Sequence, residues 1–192
     1  MGNKYIVFYK PYGVLSQFTA EVEGQRTLAE FGLPKDLYAA GRLDSDSEGL
    51  LLLTNDGPLI KKLLEPGKGH TRTYLAQVEG TPTSEALQEL ERGVVIQGYR
   101  TLPAKARMLN SDPMLPPRTP PIRVRKNIPT GWIELTLREG KNRQVRRMTA
   151  AVGYPTLRLV RISIGKITLG SLEPGEWREL TKNEIVELMD RF

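Results

Sequence analysis

Four consecutive leucines, Leu50 to Leu53, stand between Gly49 and a turn-forming run, Thr54-Asn55-Asp56-Gly57-Pro58. A short apolar run bounded by turn residues predicts a buried strand. The residues ahead of it are polar and acidic: Asp44-Ser45-Asp46-Ser47-Glu48-Gly49. The pattern puts carboxylates at the mouth of a rigid central strand, and polar loops at the ends of rigid elements are where chemistry concentrates. The residues after it, from Gly57 to Leu64, predict a short helix ending near Pro66 and Gly67.

The other segments predict many strands and few helices. Lys4 to Tyr9 is β-branched and aromatic, a first strand that Lys10-Pro11-Tyr12-Gly13 breaks, with Val14 to Phe18 resuming the sheet. Thr27 to Phe31 predicts a short helix stopped by Gly32 and Pro34. Tyr38 to Leu43 leads into the central stretch. Arg72 to Val78, Val94 to Ile96, Leu102 to Leu109, Trp132 to Arg138, Leu157 to Ile164, Lys166 to Leu169 and Trp177 to Leu180 read as strands. Thr83 is an N-cap for a helix over Ser84 to Arg92, with Glu85 in its first turn. Asn142 to Val152 has helical composition and Gly153 after it. Thr181 with Glu184 forms a capping box for a last helix reaching about Asp190. The order lacks regular βαβ alternation. The expected class is α+β with a mixed, mainly antiparallel sheet. At 192 residues the chain suits one domain, in two lobes sharing a core.

Composition excludes several chemistries. There is no cysteine, which removes disulfides and thiolate metal sites, and His70 is the single histidine, which removes a histidine-cluster metal site. The first ten residues have no signal-peptide pattern, and no apolar run approaches a membrane span, so a cytoplasmic location is expected. The formal charge of +6 is unevenly placed. Arg118, Arg123, Arg125, Lys126, Arg138, Lys141, Arg143, Arg146 and Arg147 face only Glu134 and Glu139 in sequence, a local +7, so the remainder is near −1. One basic stretch on a near-neutral body points to a polyanion, with nucleic acid the usual one; a solvated charged face is the plainer reading. Overlapping its start, Asp112 to Asn127 carries Pro113, Pro116, Pro117, Pro120 and Pro121, which excludes regular structure. It is either an ordinary connection or a basic finger touching a phosphate backbone.

The acids at 44 to 48 superficially follow a calcium loop, but Asn55 stands where a bidentate Glu is wanted and the flanks are not helical. Paired carboxylates also serve glycoside hydrolysis, which an aromatic content of 7% supports poorly. For Asp46 and Glu48 the ordinary expectation is solvated loop acids, and for Asp44 a turn aspartate. In Glu139 to Met148, EGKNRQVRRM, helical spacing would put Arg143 with Arg147 on one face and Asn142 with Arg146 on another. One face could meet phosphates and the other point into a cleft, where an arginine would keep a buried aspartate charged.

Together these segments carry a resemblance. GRLD at 41 to 44 with GLLLLTNDG after it resembles the catalytic motif of the pseudouridine synthases. RTYLAQVEG at 72 to 80 is similar to the second motif of that family. EGKNRQVRRM with LRLVRISIG at 157 to 165 is similar to the third. The style is that of the small-subunit-type branch, whose members often carry an N-terminal S4 RNA-binding domain. Here the first strand starts at Lys4, so no S4 domain is expected and the catalytic domain would find its RNA alone. Ser47 and Arg72 stand where the branch often has threonine and lysine.

The resemblance implies the synthase fold, two lobes around a mixed, mainly antiparallel sheet with a central cleft. It implies an isomerase that breaks the N1–C1′ bond of a uridine, rotates the uracil and joins C5 to C1′, without cofactor or metal. Asp44 would be the nucleophile or base, Tyr74 would stack on the flipped uracil, and Arg146 would pair with Asp44. Arg42 would enter the space left by the flipped base. Lys141, Arg143, Arg147, Arg118, Arg123, Arg125 and Lys126 would contact RNA. The expected partner is rRNA, 23S ahead of 16S, and the expected state a monomer. A second reading is an RNA-binding ribosome assembly factor that keeps the fold without activity.

Overall fold

The leucine quartet lies in a strand buried on both faces, as its uninterrupted apolar run requires. The computed structural model describes residues 2–65, 70–122, 125 and 128–190. In chain order the strands are β1 (Tyr5–Lys10), β2 (Tyr38–Ala39), β3 (Glu48–Thr54), β4 (Arg72–Glu79), β5 (Val95–Ile96), β6 (Tyr99–Arg100), β7 (Lys105–Met108), β8 (Thr130–Leu137), β9 (Thr156–Ile164), β10 (Ile167–Thr168) and β11 (Trp177–Glu179). The helices are α1 (Gly57–Leu64), α2 (Ser84–Arg92), α3 (Gln144–Ala151) and α4 (Lys182–Met189), with a 3-10 turn at Leu28–Phe31. The chain forms two compact units. The first takes Met1–His70 and Arg161–Phe192, and the second takes Thr71–Val160.

In the first unit β1 lies antiparallel between β11 and β3, with Phe8 opposite Leu51 and Ile6 opposite Leu53. Alternation sends Ile6, Phe8, Leu51 and Leu53 to one face, where Val14, Leu28 and Leu37 complete a core flanked by Phe18, Phe31 and Trp177. The Phe8 and Phe31 rings meet at 5.0 Å in a tilted pair. All seven residues of β3 are buried. Burying a leucine contributes about 2 kcal/mol, so the quartet anchors this unit with roughly 8 kcal/mol before entropy. Helix starts are where side-chain acceptors stand in sequence. Thr27 caps the 3-10 turn and Thr181 caps α4, each in a full capping box, and Asp56 accepts from Leu59 N at the head of α1. Val14 makes only an isolated bridge to Arg26, so the strand expected from Val14 to Phe18 is absent.

In the second unit β8 lies antiparallel between β4 and β7. Thr83 caps α2, accepting from Ala86 N. The expected strand from Leu102 to Leu109 contracts to β7. The residues before it join a small hairpin, β5 with β6, whose two-residue loop Gln97-Gly98 has positive φ at both positions. That is the backbone twist two-residue hairpin loops favour. The proline-rich connection has no regular element among its described residues. Within each unit these strands pair antiparallel, so the α+β class expected from sequence is the observed one. Among the described residues no helix is long and apolar enough to cross a membrane.

Candidate active site

Asp44 sits half-buried in a loop of the first unit that is held from several sides. Gly41, with φ of 95°, begins the loop and Gly49, with φ of 103°, ends it inside β3. A Cβ on Gly49 would run into the Arg161 backbone oxygen and nitrogen, so only glycine fits there. Next to Asp44, the Leu43 carbonyl accepts from Ser16 Oγ at 2.7 Å, and Leu43 N donates back to the same oxygen at 3.0 Å. On the other side, Ser45 O accepts from Gly13 N at 2.8 Å and from Lys10 Nζ at 3.3 Å. Ser47 N donates to Asp44 O at 3.0 Å and closes the turn. Arg42 is exposed, with Nη2 on Gln17 Oε1 at 3.1 Å.

Two buried cations underlie this loop, and sequence reasoning assigned a role to neither. Lys10 has no exposed surface, and its Nζ also donates to Val14 O at 2.7 Å and Pro11 O at 2.9 Å. Burial pushes its ammonium down to about 7, against the pull of Glu48, Asp46 and Asp44. Arg161, 2% exposed, donates from Nε to Leu50 O at 2.7 Å and from Nη2 to Gly41 O at 3.0 Å. The available signal was a single arginine in the apolar run Leu159-Val160-Arg161-Ile162, where a charge survives only with partners. Glu48 is a correction to the loop-acid expectation: it is the first residue of β3 and is buried. Asp46 is half-buried.

In the second unit, Tyr74 is buried at 8% exposure on β4, opposite Leu135 of β8. Arg146 is half-buried on α3, with Nη1 on Thr156 O at 3.3 Å. The turn ahead of α3 is tied by Glu139, which is buried and accepts from Tyr99 Oη at 2.7 Å, Leu102 N at 2.8 Å and Gln144 Nε2 at 2.6 Å. Gln144 Oε1 in turn accepts from Lys141 N. This knot delays the helix to Gln144 and leaves Arg143 in the left-handed region, with φ of 50°. The expected pairing of helical faces is therefore corrected. Asn142 and Arg143 precede the helix, and Arg147 Nη2 reaches Asn142 Oδ1 at 2.9 Å. Glu139, counted in sequence as one of two acids opposing a basic run, serves as a local anchor instead.

The basic residues are diversely engaged. Lys141 is exposed, with Nζ 4.5 Å from the centre of the Tyr99 ring. Arg143 is exposed and Arg147 half-buried. Arg118 folds onto Pro120 O and Pro121 O, and Arg125 pairs with Glu79 at 3.1 Å. Arg158, buried, holds Pro116 O at 2.8 Å. Arg118, Arg125 and Arg158 line a cavity of about 290 Å³ together with Gln77, Glu79 and Leu157. Arg123 and Lys126 lie outside the described residues.

The ordered motifs lead to one family. The family described as RNA pseudouridylate synthase matches residues 4–151. The chain belongs to the RNA pseudouridine synthases, which are isomerases. It is 57% identical over 174 residues to "Ribosomal large subunit pseudouridine synthase E" of Xanthomonas campestris pv. campestris, covering 90% of this chain and 93% of that relative. It is 54% identical to the protein of the same name from Vibrio parahaemolyticus, covering 93% of this chain and 74% of that one. Among solved structures it matches "Crystal structure of pseudouridylate synthase" with a TM-score of 0.80 and 30% identity, over 97% of this chain and 74% of that one. The fold class expected from the motifs, the synthase catalytic fold, is thus the one found.

Proposed function

We propose that the chain converts a specific uridine of 23S rRNA to pseudouridine, with Asp44, Tyr74 and Arg146 as its catalytic residues. The observation that carries this is the family match over residues 4–151, a span that contains all three. The choice of 23S rRNA rests on relatives named for the large ribosomal subunit, at 57% and 54% identity. The location that goes with this substrate is the cytoplasm, and the proposed working state is a monomer of one catalytic domain in two lobes with a cleft.

The chemistry follows from where the target atom lies. C1′ and C5 of a stacked uridine are out of reach, so the base leaves the stack at a cost of a few kcal/mol. Phosphate contacts offset that cost. For these we propose Arg42, Lys141, Arg143, Arg147, Arg118 and Arg125, with Arg123 and Lys126 of the same basic stretch. Tyr74 then receives the uracil on its ring, a contribution of roughly 1–3 kcal/mol. Asp44 acts at the sugar or the base as the N1–C1′ bond breaks. Arg146 is the cation that keeps Asp44 ionised, since a carboxylate leaving water needs an opposite charge nearby. After the uracil turns, C5 bonds to C1′, the C5 proton passes to a base and on to water, and N1, which kept the pair from the broken bond, takes up a proton from water.

The test is pseudouridine mapping on unmodified rRNA, with 23S and 16S in separate reactions, each with wild type and Asp44→Asn. The expected result is one new site in 23S, absent with the variant. A site in 16S would overturn the substrate. No site in either RNA would overturn the catalytic assignment and favour an idle assembly factor.

A further inference from the structure

We infer that Arg161 and Ser16 are positioning residues for Asp44, fixing the backbone of its loop without touching substrate. This rests on the reading of Asp44 as the catalytic carboxylate. Arg161 is among the largest fully buried side chains of the protein and belongs to the same unit as Asp44. Two of its nitrogens donate to carbonyls on either side of the aspartate, Gly41 O three residues before and Leu50 O six residues after. A planar guanidinium can hold both at once in a fixed relation, which an ammonium on a flexible stem cannot. Ser16 closes the span from within. Its hydroxyl accepts from Leu43 N and donates to Leu43 O, so both polar backbone groups of the residue next to Asp44 are fixed by one side chain.

The surroundings make this more than an ordinary buried arginine. Gly49 lets the loop lie against the Arg161 backbone so closely that no side chain fits between. The guanidinium therefore grips a loop already pressed onto its own strand. Loop backbone is where a carboxylate would otherwise wander. A misplacement of about 1 Å at a reacting group costs on the order of a hundredfold in rate. Binding of RNA, by contrast, spreads over many phosphate contacts, and of those proposed only Arg42 lies in this loop.

The experiment compares wild type, Arg161→Lys and Ser16→Ala on 23S rRNA fragments containing the target uridine. It reads three quantities: the single-turnover rate at saturating protein, the Kd for the RNA, and the folded fraction by thermal melt. The expected result is a rate lowered about tenfold or more in each variant, with Kd within about twofold of wild type and a cooperative melt retained. Ser16→Thr, which keeps the hydroxyl, should recover most of the rate lost in Ser16→Ala. If Arg161→Lys does not fold, the Ser16 pair decides by the same criteria. The inference is overturned if folded variants react at the wild-type rate. It is also overturned if rate and RNA affinity fall together, the mark of general loosening. Wild type run alongside separates the two levels: absence of pseudouridine with wild type strikes the catalytic reading itself.

Discussion

Replacing Lys10 with methionine should destabilise the protein by an amount that grows with pH. Lys10 has no exposed surface and gives its three donors to three carbonyls, Val14 O, Pro11 O and Ser45 O. Burial still outweighs these bonds and the neighbouring acids, leaving the group titrating at about 7 in the folded protein, against 10.5 for an ordinary lysine. Between those values the unfolded chain holds a proton that the folded protein has released, so this group makes stability rise with pH across that window. The gain is about 1.4 kcal/mol per pH unit above pH 7, or about 3 kcal/mol from pH 6.5 to pH 9.5. Lys10→Met lacks the group and the gain. Urea unfolding of both proteins at the two pH values, taken as a difference so that other titrating groups cancel, should give a cost about 3 kcal/mol larger at pH 9.5. A cost that is the same at both, or smaller at the higher pH, would refute the argument that burial dominates at this site.

Gly49→Ala should cost about 3 kcal/mol or more, since it combines a left-handed φ with a collision against the Arg161 backbone. Gly13→Ala, with positive φ and open space, should cost only about 1 kcal/mol; thermal melts of the pair check both. Leu51→Ala should lose about 2–5 kcal/mol in urea unfolding, because Leu51 is fully buried in the first unit's core. Glu184 is held down to about 2, first by its bonds to Arg178 and then by the Thr181 backbone. Its stabilisation is therefore present above the unfolded value near 4.3 and lost as pH falls toward 2. Partial exposure of the pair limits it to about 1 kcal/mol. Glu184→Gln should show that loss at pH 7 and almost none at pH 2, by denaturation at each.

What was legible in the sequence was local. The leucine quartet gave away β3 because an apolar run between turn residues has few other uses, and Thr83 and Thr181 marked two helix starts because an unpaired N–H needs an acceptor at that place. The ordered motifs around Asp44, Tyr74 and Arg146 carried the family. The rest depended on contacts between distant segments. Glu48 looked like a loop acid because its burial comes from strand pairing, Lys10 opposite Gly49, that no local pattern encodes. Helix α3 began later than its composition suggested because Gln144 turns back onto Glu139 and Lys141 N. Arg161 and Ser16 act on the Asp44 loop across separations of 111 and 27 residues, Arg161 to Leu50 and Ser16 to Leu43. The first unit is likewise built from two pieces of chain, Met1–His70 and Arg161–Phe192, and periodicity has no means of joining them.

The central claim is that Asp44 drives isomerisation of a uridine in 23S rRNA. Joining C5 to C1′ expels the hydrogen on C5, so release of tritium from 23S rRNA labelled at uridine C5 reports the reaction itself. Wild type is expected to release tritium corresponding to one uridine per RNA, and Asp44→Asn to release none while binding the same RNA as tightly. Equal release by the two proteins, or none by wild type on unmodified 23S rRNA, would contradict the account.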